Sequence, residues 1–334
     1  MKKLFIFLSI AIFIFASCDN DPSKLLPNVS GKAGEVVLVI EPNQWSSEPG
    51  EQFRKKLSQQ HPALPQKEPV FDLIHIPYNA FTNIFKIHRN IIIAKIDKDV
   101  HEPKMVVQQN VWAKPQIIIT VLAPNDSSLT AVLKEKGDFM VERILRKEIE
   151  RYAKNYKKYE EIEIANALER KFGIRLTMPK GYTLDVDTTD FVWIESRGRS
   201  DAVQGLLVYS YDKPEVELTT DFIFAKRNQF TKRFVPGAAK NSYMAVESQM
   251  IPFRREMKIN DINVIELRSL WKIKNDFMGG PFVSFAFIDE EHNKVINIDG
   301  FVYAPQFDKR DYLRQLEAIL SSVQYPKKNE PTNK

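Results

Sequence analysis

The spacing of apolar residues changes near Gly173, and this change constrains the fold more than any other feature of the chain. Upstream of Gly173, short apolar runs alternate with segments of helical periodicity. The run at residues 35–40 (EVVLVI) is nearly all apolar and rich in β-branched residues, which is typical of a strand buried on both faces. Alternation of such runs with helices predicts a layered α/β unit. Its strands are predicted at residues 35–40, 70–76, 90–96, 106–111 and 116–122.

A long helical region follows these strands and links the two parts of the chain. Asp126 or Ser127 is predicted to cap its N-terminus, because a short side-chain oxygen accepts hydrogen bonds from the free N–H groups of the first turn. Gly137 interrupts the apolar stripe and predicts a kink. A second helical segment, residues 160–171, is predicted to end at Gly173 in a left-handed C-terminal cap.

After Gly173 the apolar period becomes two, and closely spaced runs favour antiparallel strands. A helix is predicted to begin at Thr219 or Thr220 and to continue to about residue 234. The last helix carries a clear apolar face and is predicted to be capped by Asp308. The strands are predicted at residues 174–178, 182–186, 191–195, 206–211, 262–274, 281–289 and 294–303.

These patterns predict an α/β to α+β fold class with two parts. The first is an N-terminal layered α/β domain at residues 35–159, which includes the long linking helix. The second is a C-terminal α+β domain at residues 160–325, in which an antiparallel sheet packs with helices. The polar residues 326–334 are predicted to form a disordered tail.

The first eighteen residues predict export and lipid attachment. Two lysines precede an apolar run of about a dozen residues, which is too short for a membrane span and typical of a signal peptide at residues 1–17. The sequence FASC, which ends at Cys18, resembles a bacterial lipobox, although an ordinary signal peptide followed by a chance cysteine is the alternative. An acylated Cys18 would bind the lipid bilayer, and residues 18–34 would form a tether. The predicted location is the cell envelope, at the outer membrane, facing the periplasm or the cell surface.

Cysteine content and charge narrow the possibilities further. Cys18 is the only cysteine, so no intramolecular disulfide can stabilise the folded part. Removal of the two signal-peptide lysines leaves 46 basic and 43 acidic residues, a net charge of +3. This mixed surface does not indicate nucleic acid as a partner.

The sequence contains no motif from which a catalytic residue or a cofactor can be assigned. The five histidines form no close metal-ligand pair, and neither a Gly-x-Ser-x-Gly elbow nor a nucleotide-binding glycine pattern is present. We therefore predict no metal and no cofactor. A glycosidase-type carboxylate pair stays open, because spatial separation and not sequence spacing defines such a pair.

Two stretches are candidates for ligand binding. The first combines glycines with large aromatic side chains and could line a pocket, although a hairpin loop with positive-φ glycines is the alternative. The second has two arginines that could hold a carboxylate or phosphate, although an ordinary solvated loop is the alternative. The candidate residues are Trp271, Met278, Gly279, Gly280 and Phe282 in the first stretch, and Arg197 and Arg199 in the second.

Several segments resemble a family of uncharacterised Bacteroidetes envelope lipoproteins, classed as domain of unknown function 4837. The segments are residues 175–182 (RLTMPKGY), 191–194 (FVWI), 278–282 (MGGPF) and 300–305 (GFVYAP), with Trp271, Lys309 and Arg310. The resemblance covers most of the mature chain and implies an exported lipoprotein, but it implies no activity. The order of elements after residue 174 is also similar to the PsbP/Mog1-like fold, whose members are binding and assembly factors.

Three functions follow as hypotheses. The leading one is a non-enzymatic binding or envelope-assembly module that docks an envelope protein or a small ligand. An envelope hydrolase that acts on glycan or peptide is the alternative, and a spacer without any site is the third. A deep cleft with two facing carboxylates would favour the hydrolase, whereas a shallow groove would favour binding.

Overall fold

The computed structural model describes residues 25–197 and 202–326. The predicted signal peptide, Cys18, the first part of the tether, Arg199 and the tail from residue 327 lie outside these residues. Within them the chain forms two sheets with helices, and the predicted fold class is confirmed.

The first sheet has five strands in the order β2-β1-β3-β5-β4. Strands β1, β2, β3 and β5 pair in parallel, and β4 runs antiparallel to β5 at one edge. The apolar run predicted from residue 35 is the central β1, and four of its five residues are buried. The strands are β1 Glu35–Val39, β2 Asp72–Ile76, β3 Asn90–Ile96, β4 Lys104–Gln109 and β5 Ile117–Ala123.

Helices cover the first sheet because its central strands present apolar side chains on both faces. One face packs against α2 and α4 through the cluster that contains Phe53, Leu57, Leu133 and Ile144. Short elements after β2 cover the opposite face. The helical elements are α1 Pro42–Trp45, α2 Glu48–Leu57, a 3-10 turn Tyr78–Ala80, α3 Asn83–Lys86 and α4 Asp126–Lys158.

Helix α4 is one helix of 33 residues that continues through Gly137, and the kink predicted there stays a prediction. A Cβ atom at Gly137 would lie 2.7 Å from Cγ of Lys56, which shows that this glycine permits close approach of α2 to α4. The predicted N-terminal cap is wrong by one residue. Asn125 is the cap, and its side-chain oxygen accepts a hydrogen bond of 2.9 Å from the N–H of Ser128.

The second sheet has eight antiparallel strands, seven of which follow the order β10-β11-β12-β13-β8-β7-β6. The remaining strand, β9, pairs with the C-terminal end of β11. Residues 174–178, predicted as a strand, contribute an isolated bridge between Arg175 and Gln324 instead. The strands are β6 Thr183–Asp187, β7 Phe191–Arg197, β8 Val203–Asp212, β9 Met244–Val246, β10 Phe253–Ile259, β11 Ile262–Ile273, β12 Gly279–Asp289 and β13 Lys294–Tyr303.

Three helices accompany the second sheet: α5 Ile162–Phe172, α6 Thr220–Phe234 and α7 Arg310–Leu320. The predicted left-handed cap of α5 at Gly173 is confirmed, with φ of 66°. The predicted cap of α6 is Thr219, whose hydroxyl accepts from the N–H of Phe222. Helix α7 packs on the face of the sheet opposite to α6, and its Leu316 lies against Gly300 of β13.

A carboxylate from the first half caps α7, so the cap predicted at Asp308 is wrong. Glu68 is 6% exposed, and its two oxygens accept hydrogen bonds from the N–H groups of Lys309 and Arg310, each at 2.8 Å. The guanidinium of Arg310 in turn donates to Asp72 at 2.8 Å. Because Glu68 precedes α7 by more than 240 residues, this cap joins the two halves of the chain.

The same junction buries a neutral histidine. His61 is 4% exposed and lies near Arg268, Arg310 and Arg314. Burial, followed by the positive charge of Arg268, holds the pKa of His61 well below its ordinary value. A neutral imidazole adds no further positive charge beside these arginines.

We expect Glu68→Ala to destabilise the protein by about 2 kcal/mol, because two buried N–H groups at the start of α7 lose a charged acceptor. Urea denaturation measures this free energy of unfolding. Glu215→Ala, at an exposed loop position, is the control and should change stability by less than about 0.5 kcal/mol. Equal losses in the two variants would contradict the capping role.

Candidate functional site: a groove where the two halves meet

Two residues of the predicted aromatic and glycine-rich surface are buried. Trp271 is 3% exposed, and its Nε1–H donates to the carbonyl oxygen of Val302 at 3.2 Å. The Phe282 side chain is fully buried beneath α6, where the guanidinium of Arg227 lies 4.1 Å from the centre of its ring. Trp271 and Phe282 are therefore core residues, and they cannot form the contact surface that the sequence predicted.

Arg227 also forms a fully buried ion pair, which explains its position above Phe282. Its Nε lies 2.8 Å from a carboxylate oxygen of Asp299 on β13. Burial raises the pKa of Asp299, and the guanidinium opposes that shift. The aromatic residues of this region thus surround a structural pair between α6 and the sheet.

Gly279 and Gly280 belong to strand β12, not to a turn with positive φ. A Cβ atom at Gly280 would lie 2.0 Å from the carbonyl oxygen of Val302, so this position requires glycine for close contact with β13. Met278 is partly exposed beside the fully exposed Phe277 at the tip of the β11–β12 hairpin. Ligand binding at Met278, Gly279 and Gly280 stays a prediction.

Only one of the two arginines predicted to bind an anion lies among the described residues. Arg197 is the last residue of β7, and Arg199 lies outside. The anion site proposed for these two residues stays a prediction.

The feature that sequence reasoning missed is a groove where α4 faces the second sheet. It has a volume of about 680 Å³ and is lined by residues of α4, β10, β11, β12 and α7. We call it the junction groove. Its α4 wall consists of residues spaced at helical intervals, and its sheet wall includes most of β10. The residues that the two walls contribute are Glu142, Leu145, Arg146, Ile149, Glu150 and Ala153 from α4, and Arg255, Glu256, Met257, Lys258 and Ile259 from β10.

A chain of alternating charges forms the base of the junction groove. Arg255 donates through Nε to Glu266 at 3.0 Å, and Arg268 bridges Glu266 to Glu317 of α7 through two short hydrogen bonds. Glu266 is fully buried, whereas the side chain of Arg255 is 48% exposed and reaches the solvent. The paired charges therefore extend from Arg255, at the open groove, to Glu317 on α7, the helix that Glu68 caps.

This arrangement stabilises the charged form of Arg268. Burial alone would lower the pKa of Arg268, but the carboxylates of Glu317 and Glu266 outweigh burial and raise it. Both carboxylates accept hydrogen bonds from that guanidinium, so each has a charged partner within the chain. The paired charges therefore hold the side chains at the base of the groove in place.

No group of three or more His, Cys, Asp or Glu side chains within residues 25–197 and 202–326 has a geometry that could hold a metal ion. None of the helices in these same ranges combines the length and the apolar character needed to cross a bilayer. The long α4 carries charged residues throughout its length.

Two family models match the chain, one for each half. Residues 29–157 match a domain of unknown function, DUF8532, and residues 161–322 match a domain of unknown function, DUF4837. The resemblance to DUF4837 is thus confirmed over residues 161–322, whereas residues 29–157 match a different family model. No curated protein matches the sequence.

Two solved structures show only distant similarity. A protein from Bacteroides thetaiotaomicron VPI-5482 is 11% identical, with a TM-score of 0.26, and the match covers 47% of this chain and 46% of that protein. LpqN, which is involved in cell envelope biogenesis of Mycobacterium tuberculosis, is 12% identical, with a TM-score of 0.27, and the match covers 46% of this chain and 83% of LpqN. The chain therefore spans about half the length of the first of these proteins, and no functional argument rests on either.

We expect Arg268→Met to destabilise the protein by about 3 to 5 kcal/mol, because Glu266 and Glu317 would stay buried without their shared partner. Arg146→Met is the matched control. Arg146 lies on the exposed rim of the same groove and pairs with the exposed Glu142 at 3.3 Å, so its loss should cost less than about 0.5 kcal/mol. Urea denaturation of both variants checks the difference. A loss below 1 kcal/mol in Arg268→Met would contradict a structural role for the charge chain.

Proposed function

We propose that this protein is a lipid-anchored component of the bacterial cell envelope that binds a partner or ligand in the junction groove without chemical conversion. The observation that carries this proposal is the groove itself, in which a paired charge chain holds an apolar surface open between the two halves. Ligand sites occur preferentially where domains meet, and they combine apolar lining with a few placed polar groups. Leu145, Ile149 and Met257 supply the apolar lining.

The location at the envelope rests on the sequence. The apolar run with its two lysines and the FASC motif at residues 15–18 support export and acylation of Cys18. Acyl chains contribute about 0.8 kcal/mol per buried CH₂, so a multiply acylated cysteine gives stable attachment to a membrane. The tether then sets how far the groove stands from the lipid.

A photo-crosslinking amino acid placed in the groove tests the binding proposal. We expect Arg146 and Ile259, replaced one at a time, to give discrete crosslinked products in cells that make the protein, because Arg146 lies on the α4 wall of the groove and Ile259 lies on the β10 wall, on the same strand face as Arg255. Ile84 is the control position, since it is 70% exposed and belongs to α3 in the first half. Equal products from all three positions, or products from Ile84 alone, would refute the groove as the binding site.

The anchor has a separate test. Cys18→Ser should move the protein from the membrane fraction to the soluble fraction after cell lysis, because the acylation site is lost. Cys18→Ala should behave in the same way. Membrane association that persists in both variants would refute lipid attachment through this residue.

A further inference from the structure

Strand β10 is an edge strand that borders the junction groove. It is the first strand in the order of the second sheet and pairs with β11 on one side. The two strands are joined by a two-residue turn in which Asn260 and Asp261 have positive φ values of 46° and 69°. Such a turn places Ile259 and Ile262 opposite each other as a hydrogen-bonded pair.

The alternation of an antiparallel ladder then decides which backbone groups of β10 are free. Because the backbone N–H and C=O groups of Ile259 bond to β11, those of Met257 and Arg255 also bond to β11. The N–H and C=O groups of Arg254, Glu256 and Lys258 consequently point away from β11. Within the described residues, no backbone hydrogen bond outside the β10–β11 ladder reaches these three residues.

A cavity lies on each face of the sheet beside this free edge. The junction groove lies on the face that α7 covers. A second cavity of about 710 Å³ lies mainly on the α6 face, with apolar walls formed by Val216, Leu218 and Ile265. Both cavities are lined by Glu256 and Met257, so β10 separates one from the other.

Most of the charged side chains around these cavities already have partners within the chain. In the junction groove, Arg255, Glu266, Arg268 and Glu317 form the charge chain. Along β10 and the second cavity, the pairs are Arg254 with Glu256, Lys258 with Asp261, and Lys213 with Glu290. The surfaces that remain for a ligand are therefore the apolar walls and the free backbone edge.

We propose that the occupant is an extended peptide segment that adds to β10 as a further strand of the second sheet. This proposal rests on the proposed binding function and names its ligand class. Backbone hydrogen bonds from the peptide would pair with Arg254, Glu256 and Lys258. Side chains along a strand alternate between the two faces, so successive apolar side chains of the peptide reach the junction groove and the second cavity in turn. The charged side chains of β10 limit unselective pairing at this edge.

The substitution Glu256→Pro distinguishes strand addition from binding by side chains alone. Glu256→Pro removes an outward N–H group and leaves the bonds of Arg255 and Met257 to β11 in place, as edge strands tolerate. Glu256→Ala is the matched control, since it removes the same carboxylate and keeps the N–H.

The probe is a library of random ten-residue peptides displayed on phage, selected against the full chain purified in detergent. Calorimetry with a selected peptide then compares the variants.

We expect Glu256→Pro to weaken peptide binding at least tenfold and Glu256→Ala to weaken it less than threefold. Hydrogen exchange of the unaltered chain gives a second reading that does not depend on the folding of a variant. Bound peptide should slow exchange at the amides of Arg254, Glu256 and Lys258 at least tenfold, while the amides of Arg255 and Met257 are already protected.

Other results would overturn strand addition. Selected peptides would bind elsewhere if they did not slow exchange at those amides and bound Glu256→Pro as tightly as Glu256→Ala. A library without any binder would also refute the extended peptide as the ligand class. In both cases the crosslinks at Arg146 and Ile259 decide the proposed function separately, because a folded partner or a glycan in the groove would still produce them.

Discussion

The capping of α7 by Glu68 is the interaction on which the arrangement of the two halves depends. A helix N-terminus buried against another unit needs an acceptor for its free N–H groups, and this chain provides one from a loop of the first half. Arg310 and Arg314 strengthen the contact by donating to the carbonyl oxygens of Pro69 and Val70 in the same loop. Helix α7 thereby fixes the second sheet relative to α4, and the junction groove lies between them.

The charge chain extends this junction into the groove. Glu317 lies on α7, and Arg268 connects it to Glu266 in the middle of β11. A buried pair of this kind contributes little net stability compared with apolar residues of the same volume, but the loss of one member is costly. Its function here is therefore best understood as fixing the shape of the groove, with Arg255 as the member that reaches the solvent.

The sequence predicted those elements whose signals are local. The strands at residues 294–303 and 90–96 coincide with β13 and β3, and the caps at Thr219 and Gly173 follow from the chemistry of single residues. Strand β10 was missed because it lies at an edge and alternates charged residues with few apolar ones. The cap of α7 was assigned to Asp308 because a local pattern cannot indicate an acceptor more than 240 residues away.

The site could not be predicted for the same reason. The junction groove brings α4 and α7, which are far apart in the chain, together with the strands β10 to β12, and none of these elements carries a motif. The conspicuous residues, Trp271 and Phe282, proved to be core residues, and Phe282 lies beneath the guanidinium of Arg227. Glycines next to large aromatic side chains are also what close packing of two strands requires, as Gly280 demonstrates.

The central claim is that the two halves form one body with a preformed groove between α4 and β10. A distance measured between spin labels at Glu150 and Lys258 tests it most directly, because these residues lie on opposite walls and Cys18, the only native cysteine, can be replaced by serine. The account predicts a single narrow distance distribution in the free protein and a broad one when Glu68→Ala is added. A broad or multiple distribution in the protein with Glu68 intact would contradict it.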